Sequence, residues 1–479
     1  MTLQSTAIFA RIDLVAFIAT GVEMMNEKRS SFTGKLGFVL AAAGASVGLG
    51  NIWRFPYLAA KYGGGVFLLI YILLALSFGY TMIIAETAIG RASGKSPVSA
   101  FRHFSDSKGM KIGGWLNAVI PILIVPYYSV IGGWVCRYLW AYLVNEGNAV
   151  TSDTYFTSFI SGGLEAELCF LLFTLIDLLI IYMGVQNGIE RVSRWIMPLL
   201  VVLAIIISGY TVTRPGALEG VKYFLIPDFS RFSWMGVVSA MGQMFYSLSI
   251  AMGILITFGS YMKKDVSIED STRQVEFFDT AIAILAGLMI IPAVFAFSGS
   301  DAAEQLNAGP SLMFITMPRI FAQMNGGRLI GILFFVLVLF AALTSAIALS
   351  EAAVSTFADE FGWKRKNSTL ILGLLMMVLG SLSCLGYGPL SFIRILGMPF
   401  LDFFDFLTNS VMMPLSAFAI CVLITKYMTI EKAEEEVTLG DMPFRRRAVF
   451  RFMIRYVCPL FIVIILLSSL LNTFGIISL

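Results

Sequence analysis

The stretch AAAGASVGLGNIWRFP occupies residues 41–56 and interrupts an apolar segment that is long enough to cross a bilayer. Small residues alone are explained by close helix packing, and Gly44 and Gly48 have the small-xxx-small spacing of such contacts. Packing does not require the amide of Asn51 or the guanidinium of Arg54, and polar groups inside a membrane are candidates for function. The stretch therefore predicts an irregular membrane helix with a functional role.

The composition places the whole chain in the membrane class. Of its 479 residues, 58% are hydrophobic and 13% are charged, and the mean hydropathy is +0.85. A soluble chain is about 25% charged, whereas a spanning helix needs about 20 predominantly apolar residues. We predict an all-α integral membrane protein in a lipid bilayer, with eleven transmembrane helices at about 36–60, 64–90, 113–144, 167–185, 193–213, 234–262, 278–299, 328–358, 369–388, 395–425 and 450–476.

Basic residues are distributed unequally between the two sides of the predicted membrane. With the N-terminus placed inside, about 23 of the 33 Lys and Arg residues fall in inner loops and about 9 fall in outer loops. Because Lys and Arg collect on the cytoplasmic side, we predict a multi-pass protein of the cell inner (plasma) membrane with a cytoplasmic N-terminus. An odd number of spans then places the C-terminus outside. The charged inner loop at 426–449 is expected to be solvated.

The sequence gives no support for an enzyme or a metal centre of the usual kind. The five cysteines all lie in apolar segments without a CxxC pair, so we interpret them as small core residues. The single histidine, His103, lies in a basic loop, and catalytic triads and zinc sites need more such groups. We predict no enzymatic activity, no binding of nucleic acid and no obligate protein partner.

A second segment is interrupted in the same way as the first. The sixth span contains SLSIAMG at 247–253, five spans after the break in the first span. Interrupted helices at matching positions of two halves indicate an inverted-repeat transporter. Irregular backbone survives in a membrane only around a cavity or an ion; its free carbonyl oxygens suit a hard cation, and the next half-helix offers N–H groups to a carboxylate.

This pattern divides the chain into segments. Residues 1–27 carry no clear secretory signal and are expected to be a dispensable N-terminal extension. The transporter domain is predicted at 28–479. It comprises a first repeat at about 36–213, a second repeat at about 234–425 and a peripheral helix at about 450–476.

Several motifs in order carry a family resemblance. They are GASVGLGNIWRFPYLAAKYGGGVFLLIYI from residue 44, PYY at 126–128, GQMFYSLSIAMG at 242–253, IPAVFAF at 291–297 and FAALTSAIAL at 340–349. Over about residues 28 to 475 the chain resembles the neurotransmitter:sodium symporters, in particular their bacterial amino-acid transporters. The resemblance implies the leucine-transporter-like fold, a 5+5 inverted repeat in which helices 1 and 6 are unwound.

The resemblance also implies a function. The expected activity is sodium-coupled symport, with import of neutral hydrophobic or aromatic L-amino acids by alternating access. The alternative is a membrane amino-acid sensor or receptor with the same fold and no net transport, because both would use the same pocket. Amino acid and Na⁺ are thus the expected small-molecule partners, with two Na⁺ ions bound.

Two sodium sites are implied by the matched motifs. The first site would use Ser46, Asn51, Ser247 and Asp279, and the second would use Gly44, Val47, Ala341, Thr344 and Ser345. An alternative for the two hydroxyls of the second site is hydrogen bonding within their own helix. An alternative for Asp279 is a capping role near a helix start. If its carboxylate does lie at the first site, it supplies a fixed negative charge, and transport is expected to need no chloride.

The substrate residues are carried over in the same way. The backbone of the amino acid would lie between the two unwound regions, and its side chain would face apolar residues and no counter-ion. The residues implied are Ala45, Ser46, Leu49, Gly50, Ile124, Tyr128, Tyr246, Ser247, Ser249, Met252, Ser345 and Leu349.

Two gates are implied at the ends of the pocket. On the outer side Arg54 is expected to pair with Asp405, with Asp402 as the alternative. On the inner side Arg29 is expected to pair with Asp359, near Tyr261. Such pairs would form in one state of the cycle and break in the other.

Overall fold

The computed structural model describes residues 31–298 and 312–473. The predicted extension at 1–27 and the gate residue Arg29 lie outside these ranges. The described chain is helical, apart from loops and two isolated β-bridges. Its main helices are α1 (Lys35–Ser46), α2 (Gly50–Lys61), α3 (Gly65–Ser93), α4 (Lys108–Leu143), α5 (Leu164–Tyr182), α6 (Val185–Val212), α7 (Trp234–Ser247), α8 (Ile254–Ser260), α9 (Ile268–Ser298), α10 (Gly327–Phe361), α11 (Arg365–Leu385), α12 (Phe400–Met428) and α13 (Arg447–Leu471).

Shorter helices connect the long ones. They are Pro97–Phe104, Gly147–Val150, Tyr155–Ser161, Ala217–Leu225, Phe229–Arg231, Leu312–Thr316, Met317–Gln323 and Ile430–Val437. Among the described residues, eight helices are long and apolar enough to cross a membrane, or nine if the bent pair α1–α2 counts as one span. The prediction of an all-helical membrane protein is therefore confirmed. The count of eleven spans stays a prediction, which adds α5 and the pair α7–α8 to these nine.

The interruption predicted in the first apolar segment is present. Helix α1 ends at Ser46, α2 begins at Gly50, and the two axes differ by 52°. At Val47 the backbone is extended, with φ −80° and ψ 94°. The glycine-rich stretch therefore ends one half-helix and starts another inside the bundle.

The second break, between α7 and α8, has an unusual backbone. Ser249 and Ala251 adopt positive φ angles of 53° and 62°, and Gly253 follows at 70°. Positive φ costs a residue other than glycine of the order of 1–3 kcal/mol and persists only where the surroundings hold it. At Ala251 the N–H donates to the Glu86 carboxylate at 2.7 Å and the carbonyl accepts from the Ser416 hydroxyl at 3.0 Å. Side chains of α3 and α12 thus replace the missing helical hydrogen bonds.

Helices α3 and α8 pack backbone against backbone beside this break. A Cβ atom on Gly90 would lie 2.0 Å from the Ile256 carbonyl oxygen, and one on Gly259 would lie 2.6 Å from the Thr87 carbonyl oxygen. Small residues allow such approach where no hydrophobic effect drives helices together. This contact fixes α8 against the long helix that carries Glu86.

The ends of several predicted segments differ from the structure. The seventh segment, predicted at 278–299, begins ten residues earlier as α9 at Ile268. Its first turns carry Glu269, Ser271 and Thr272, which hydropathy excludes from a span but which are buried. Polar residues can extend a helix beyond its apolar part because partners elsewhere in the fold bind them.

The charged loop at 426–449 also differs from the expectation of a solvated loop. Its residues Ile430–Val437 form an amphipathic helix, and the Glu434 side chain is 1% exposed. The carboxylate of Glu434 accepts hydrogen bonds from Arg447 at 2.7 Å and from Arg451 at 2.9 and 2.7 Å. The solvated-loop prediction was wrong for Glu434, because hydrogen bonds from two half-exposed arginines offset the cost of burying its carboxylate.

Candidate functional site

A small cavity lies where the breaks of α1–α2 and α7–α8 meet α4 and α10. Its lining includes every residue predicted to contact substrate, and adds Gly48, Asn51 and Ile254. None of the described lining residues is a Lys, Arg, Asp or Glu. The structure therefore brings the predicted set together in one place.

The Asp279 carboxylate is fully buried beside this cavity. One of its oxygens accepts from the Asn51 amide at 2.8 Å and from the Ser247 hydroxyl at 2.7 Å. The other accepts from the Tyr71 hydroxyl at 2.6 Å. The capping alternative is wrong, because α9 begins eleven residues before Asp279. Asn51, Ser247 and Asp279, which were predicted for the first sodium site, thus form one polar cluster with Tyr71. The four residues come from α2, α7, α9 and α3.

The two hydroxyls on α10 behave differently from each other. Ser345 donates to the carbonyl oxygens of Gly44 and Ala45 at 3.3 and 3.1 Å, across to α1. Thr344 donates to carbonyls of its own helix, Phe340 at 3.0 Å and Ala341 at 3.2 Å, as in the alternative reading. Thr344 still borders α1, since a Cβ on Gly44 would lie 3.1 Å from its Cβ. Ser345 therefore places an α10 hydroxyl against the carbonyl oxygens of α1, whereas Thr344 faces Gly44 with its carbon atoms.

The protein groups expected to bind the substrate backbone form hydrogen bonds with one another in this structure. The Leu49 N–H donates to the Tyr128 hydroxyl at 3.3 Å. The Ser249 hydroxyl donates to the Ala45 carbonyl oxygen at 3.0 Å. Donors are thus grouped at the start of α2, and acceptors at the end of α1. A carboxylate suits the first group and an ammonium suits the second.

Gly48 and Gly50, at the break between α1 and α2, lie so close to neighbouring side chains that a Cβ atom would not fit. A Cβ on Gly48 would lie 2.6 Å from the Ser345 hydroxyl oxygen and 3.1 Å from the Tyr128 hydroxyl oxygen. A Cβ on Gly50 would lie 2.8 Å from the Tyr246 ring. At these positions a larger residue would fill space that now belongs to the cavity and its polar groups.

The remaining wall of the cavity is apolar. Ile124, Met252 and Leu349 are each less than 5% exposed, and they line the cavity together with Ile254 and the half-buried Tyr246. Ile254 was not predicted, although it lies two residues after Met252. This wall offers dispersion contacts but no charge to a bound side chain.

The direct outer ion pair predicted between Arg54 and Asp405 is not formed in this structure. The Arg54 guanidinium lies over the Tyr246 ring, 5.3 Å from its centroid. Asp405 accepts from Tyr127 at 3.1 Å and from Asn409 at 2.5 Å. Within the described residues, neutral donors therefore satisfy the carboxylate while the cation stacks on an aromatic ring.

The alternative outer partner, Asp402, is not paired with Arg54 either. In the part of the chain that the structure describes, it accepts a hydrogen bond from Tyr387 at 2.9 Å.

At the inner end, the predicted pair of Arg29 and Asp359 stays a prediction. Arg29 is outside the described ranges, and Asp359 accepts from the Ser96 N–H at 2.6 Å. The Tyr261 hydroxyl donates to Glu351 at 2.7 Å, and Arg365 forms a salt bridge with Glu351 at 2.5 Å. The carboxylate at residue 351 was missed, although an acid inside an apolar span is itself a signal.

Two polar residues near the site, Gln243 and Glu86, were not among the residues predicted from the sequence. Gln243 donates from its amide to the Gly50 carbonyl oxygen at 2.9 Å, next to the cavity. Glu86 holds the α7–α8 break and does not line the cavity. Its signal was a lone acid in an apolar span.

The comparisons with known proteins agree with this geometry. Residues 29–158 and 157–476 match the sodium:neurotransmitter symporter family. The chain belongs to that family. It is therefore a multi-pass membrane protein and a sodium-dependent transporter, not an enzyme.

Individual members of the symporter family extend the comparison. An uncharacterized sodium-dependent transporter of Bacillus subtilis, YhdH, is 34% identical over 461 residues, which is 95% of this chain and all of that one. A sodium- and chloride-dependent GABA transporter of Drosophila melanogaster, ine, is 30% identical over 70% of this chain and 40% of that protein. The crystal structure of MhsT in complex with L-phenylalanine superposes with a TM-score of 0.83 at 36% identity, over 92% of this chain and all of that one.

Proposed function

We propose that this protein imports neutral hydrophobic or aromatic L-amino acids by sodium-coupled symport with alternating access. The observation that carries the proposal is the cavity at the two helix breaks, whose lining combines backbone donors and acceptors with an uncharged apolar wall. The complex of MhsT with L-phenylalanine, a structure similar over 92% of this chain, supports the same substrate class.

The polar end of the substrate would lie between the two breaks. Its carboxylate would take the N–H groups of Leu49 and Gly50 and the hydroxyl of Tyr128. Its ammonium would take carbonyl oxygens at the end of α1 and at Tyr246 and the Ser249 hydroxyl. These groups now bond to each other at 3.0–3.3 Å, so a substrate would exchange existing hydrogen bonds for its own.

The apolar end of the substrate would contact Ile124, Met252 and Leu349. Burying a charged Lys or Glu side chain there would strand a charge, whereas a Leu or Phe side chain gains about 1.5–3 kcal/mol from burial. One methylene changes discrimination by only about 1–3 kcal/mol. Several hydrophobic amino acids should therefore compete for one pocket.

We propose that two Na⁺ ions are cotransported. Oxygen donors suit this hard cation. The first ion would be held by Asn51, Ser247 and Asp279, whose side chains form the buried polar cluster, and by the carbonyl oxygen of Ser46. The second would be held by carbonyl oxygens of Gly44, Val47 and Ala341 with the hydroxyls of Thr344 and Ser345. Both sets would couple ion binding to the position of α1.

We propose that transport needs no chloride. The relative in Drosophila melanogaster is named for chloride dependence. In this chain a carboxylate, Asp279, lies within hydrogen-bond distance of Tyr71 and Ser247. Since that carboxylate supplies a negative charge beside the first proposed sodium site, an external anion is not needed to balance the ion.

Architecture and placement complete the proposal. Helices α1–α6 would form the first inverted repeat, α7–α12 the second, and α13 the peripheral helix, which gives eleven spans. The protein would lie in the plasma membrane with a cytoplasmic N-terminus and an external C-terminus. Arg54 with Asp405, and Arg29 with Asp359, would close the outer and inner paths in different states.

The test is uptake of labelled leucine or phenylalanine into proteoliposomes with and without an imposed Na⁺ gradient. We expect accumulation above equilibrium only with the inward gradient, and collapse when a sodium ionophore is added. Binding of the same amino acid without accumulation would instead identify a sensor or receptor. Accumulation that is independent of Na⁺ would contradict the coupling.

A further inference from the structure

A second concavity is lined by residues other than those of the substrate cavity, and we name it the basic groove. It lies between the start of α1, the middle of α3, the first half of α9 and the residues that precede α13. Four cations line it: Lys35, Arg273, Arg445 and Arg446. The transport mechanism proposed above uses none of them.

The charge of the groove is only partly balanced. Two carboxylates line it, with Asp270 at 3.0 Å from Arg445 and Glu276 at 3.6 Å from Arg446. Among the described residues, the side chains of Lys35 and Arg273 form no salt bridge and no hydrogen bond. The groove therefore presents two cations without a direct ion pair, of which Arg273 is also attracted to Glu276 at longer range.

A buried acceptor in the groove also lacks a partner. The Glu276 side chain is 3% exposed, and no donor in the described structure reaches its Oε1 atom. An unsatisfied buried acceptor costs about 1–3 kcal/mol. A ligand that brings a hydroxyl group as well as an anion would satisfy this oxygen.

One wall of the groove is apolar and exposed, and we expect it to face the bilayer. Phe277 is 70% exposed and Leu76 is 43% exposed, and both lie on helices that are long and apolar enough to span a membrane. Exposed apolar residues on such helices contact lipid chains. The groove is thus open to lipid and basic inside, which is typical of sites for lipid headgroups between membrane helices.

We propose that the basic groove binds the headgroup of an anionic glycerophospholipid. Lys35 and Arg273 would bind the phosphodiester, Arg446 would lie beside it, and a headgroup hydroxyl would donate to Glu276. The acyl chains would pack along Phe277 and Leu76. The excess of cations over carboxylates favours an anionic lipid over a zwitterionic one, whose ammonium would meet like charges.

The test is native mass spectrometry of the full chain in mixed micelles of detergent with phosphatidylglycerol, phosphatidylethanolamine or phosphatidylcholine. We expect retained adducts of phosphatidylglycerol and few of the other two. Lys35→Gln with Arg273→Gln should weaken retention roughly tenfold or more, because each basic residue near a membrane surface contributes about 1 kcal/mol. Lys366→Gln, an exposed basic residue of α11 outside the groove, is the matched control and should bind as wild type does.

Folding is checked by the melting temperature of each variant without added lipid, and Arg273→Gln alone replaces the double variant if that one unfolds. Equal retention of phosphatidylethanolamine, or retention that the variant does not change, would overturn the proposal. Displacement of the lipid by millimolar inorganic phosphate would show a general anion site and would also overturn it. None of these readouts depends on amino-acid transport.

Discussion

At the scale of single residues, Asp279 shows most clearly how environment assigns a role. It is fully buried, yet its described partners are the neutral groups of Asn51, Tyr71 and Ser247. A buried carboxylate without a cation is costly. The arrangement therefore supports the proposal that Asp279 binds a positive ion.

Replacing this carboxylate tests the first proposed sodium site. We expect Asp279→Asn to raise the Na⁺ concentration for half-maximal uptake roughly tenfold or more, because loss of a charged partner costs about 1.5–3 kcal/mol. Wild-type uptake should be unchanged when gluconate replaces chloride, and chloride should partly rescue the variant. Asp177→Asn is the control, since this acid is also buried in a membrane helix but binds Ser350.

A silent Asp279→Asn variant would place the ligand elsewhere, and wild-type uptake that fails in gluconate would contradict the charge assignment. Either result leaves sodium dependence itself intact, since that rests on the family.

The hydroxyls of α10 offer a second test, on Na⁺ affinity. Thr344→Ala combined with Ser345→Ala removes two α10 hydroxyls that are proposed to bind Na⁺ next to the end of α1. We expect the Na⁺ concentration required for substrate binding to rise at least tenfold. Thr356→Ala is a matched control, because its hydroxyl is buried and back-bonds within the same helix at 2.8 Å. The measurement is binding of labelled amino acid across a Na⁺ titration. Unchanged Na⁺ dependence in the folded double variant would exclude these hydroxyls.

Selectivity is a residue-scale property as well. Met252→Phe should narrow the apolar wall and disfavour Trp relative to Leu, since overpacking a filled pocket costs about 1–3 kcal/mol. Met252→Leu keeps the volume and should change little. Competition against labelled leucine measures both. Strong inhibition by Lys or Glu, or an unchanged Trp-to-Leu ratio in the Phe variant, would show that this wall does not contact the substrate side chain.

At the scale of elements, the break between α7 and α8 is held from outside. Glu86 on α3 and Ser416 on α12 bind the backbone of Ala251. The position of the break is thus set locally, whereas its shape depends on two helices that are distant in sequence. The same logic applies to α1 and α2, whose break is lined by groups from α4 and α10.

Two glycine substitutions compare the stability contribution of the break with that of the helix before it. Gly253→Ala should destabilise the protein by about 1–3 kcal/mol, because φ is 70° and the new Cβ would lie 2.6 Å from the Asn117 carbonyl oxygen. Gly242→Ala on α7 is the control, since its Cβ would meet nothing within 4 Å. The melting temperature in detergent should fall only for the first. Equal melting temperatures would show that the break is free to change shape.

At the scale of the whole molecule, the segment between α12 and α13 ties the peripheral helix to the bundle. Arg447 and Arg451, which lie on α13, bind Glu434. A third arginine, Arg91 on α3, binds Glu436 of the same short helix. Charges that were expected in solvent therefore connect three parts of the fold.

This tie should make stability depend on pH. Desolvation acts to raise the pKa of Glu434, but hydrogen bonds from Arg451 and Arg447 outweigh it and leave the pKa below the usual value of 4.5. A lowered folded-state pKa contributes stability above the unfolded-state pKa and loses it as pH falls through the folded-state value. We expect Glu434→Gln to lower the melting temperature at pH 7, and the difference from wild type to shrink below pH 4.5.

Glu435→Gln, an exposed neighbour, is the control and should match wild type throughout. A difference between Glu434→Gln and wild type that is the same at pH 7 and at pH 4 would show that packing, not charge, carries the effect.

The sequence by itself determined the membrane class, the family and the places where two helices break. These follow from local properties: apolar length, glycine content, and polar groups that a lipid-facing helix would not carry. It also supplied the set of residues that meet in the cavity, because the motifs carry them in fixed order. These cavity residues can be named from the motifs without knowing which of them are in contact.

Only the tertiary structure decided which polar groups are partners. Glu86 binds the backbone of Ala251, Glu351 binds Arg365, and Glu434 binds arginines of α13. The partners in these contacts are up to 165 positions apart in the sequence. It also moved the start of α9 and left Arg54 on Tyr246 instead of Asp405. The reason is physical: hydropathy reports how costly it is to bury a group, whereas the partner that offsets the cost is chosen by the packing of helices in three dimensions.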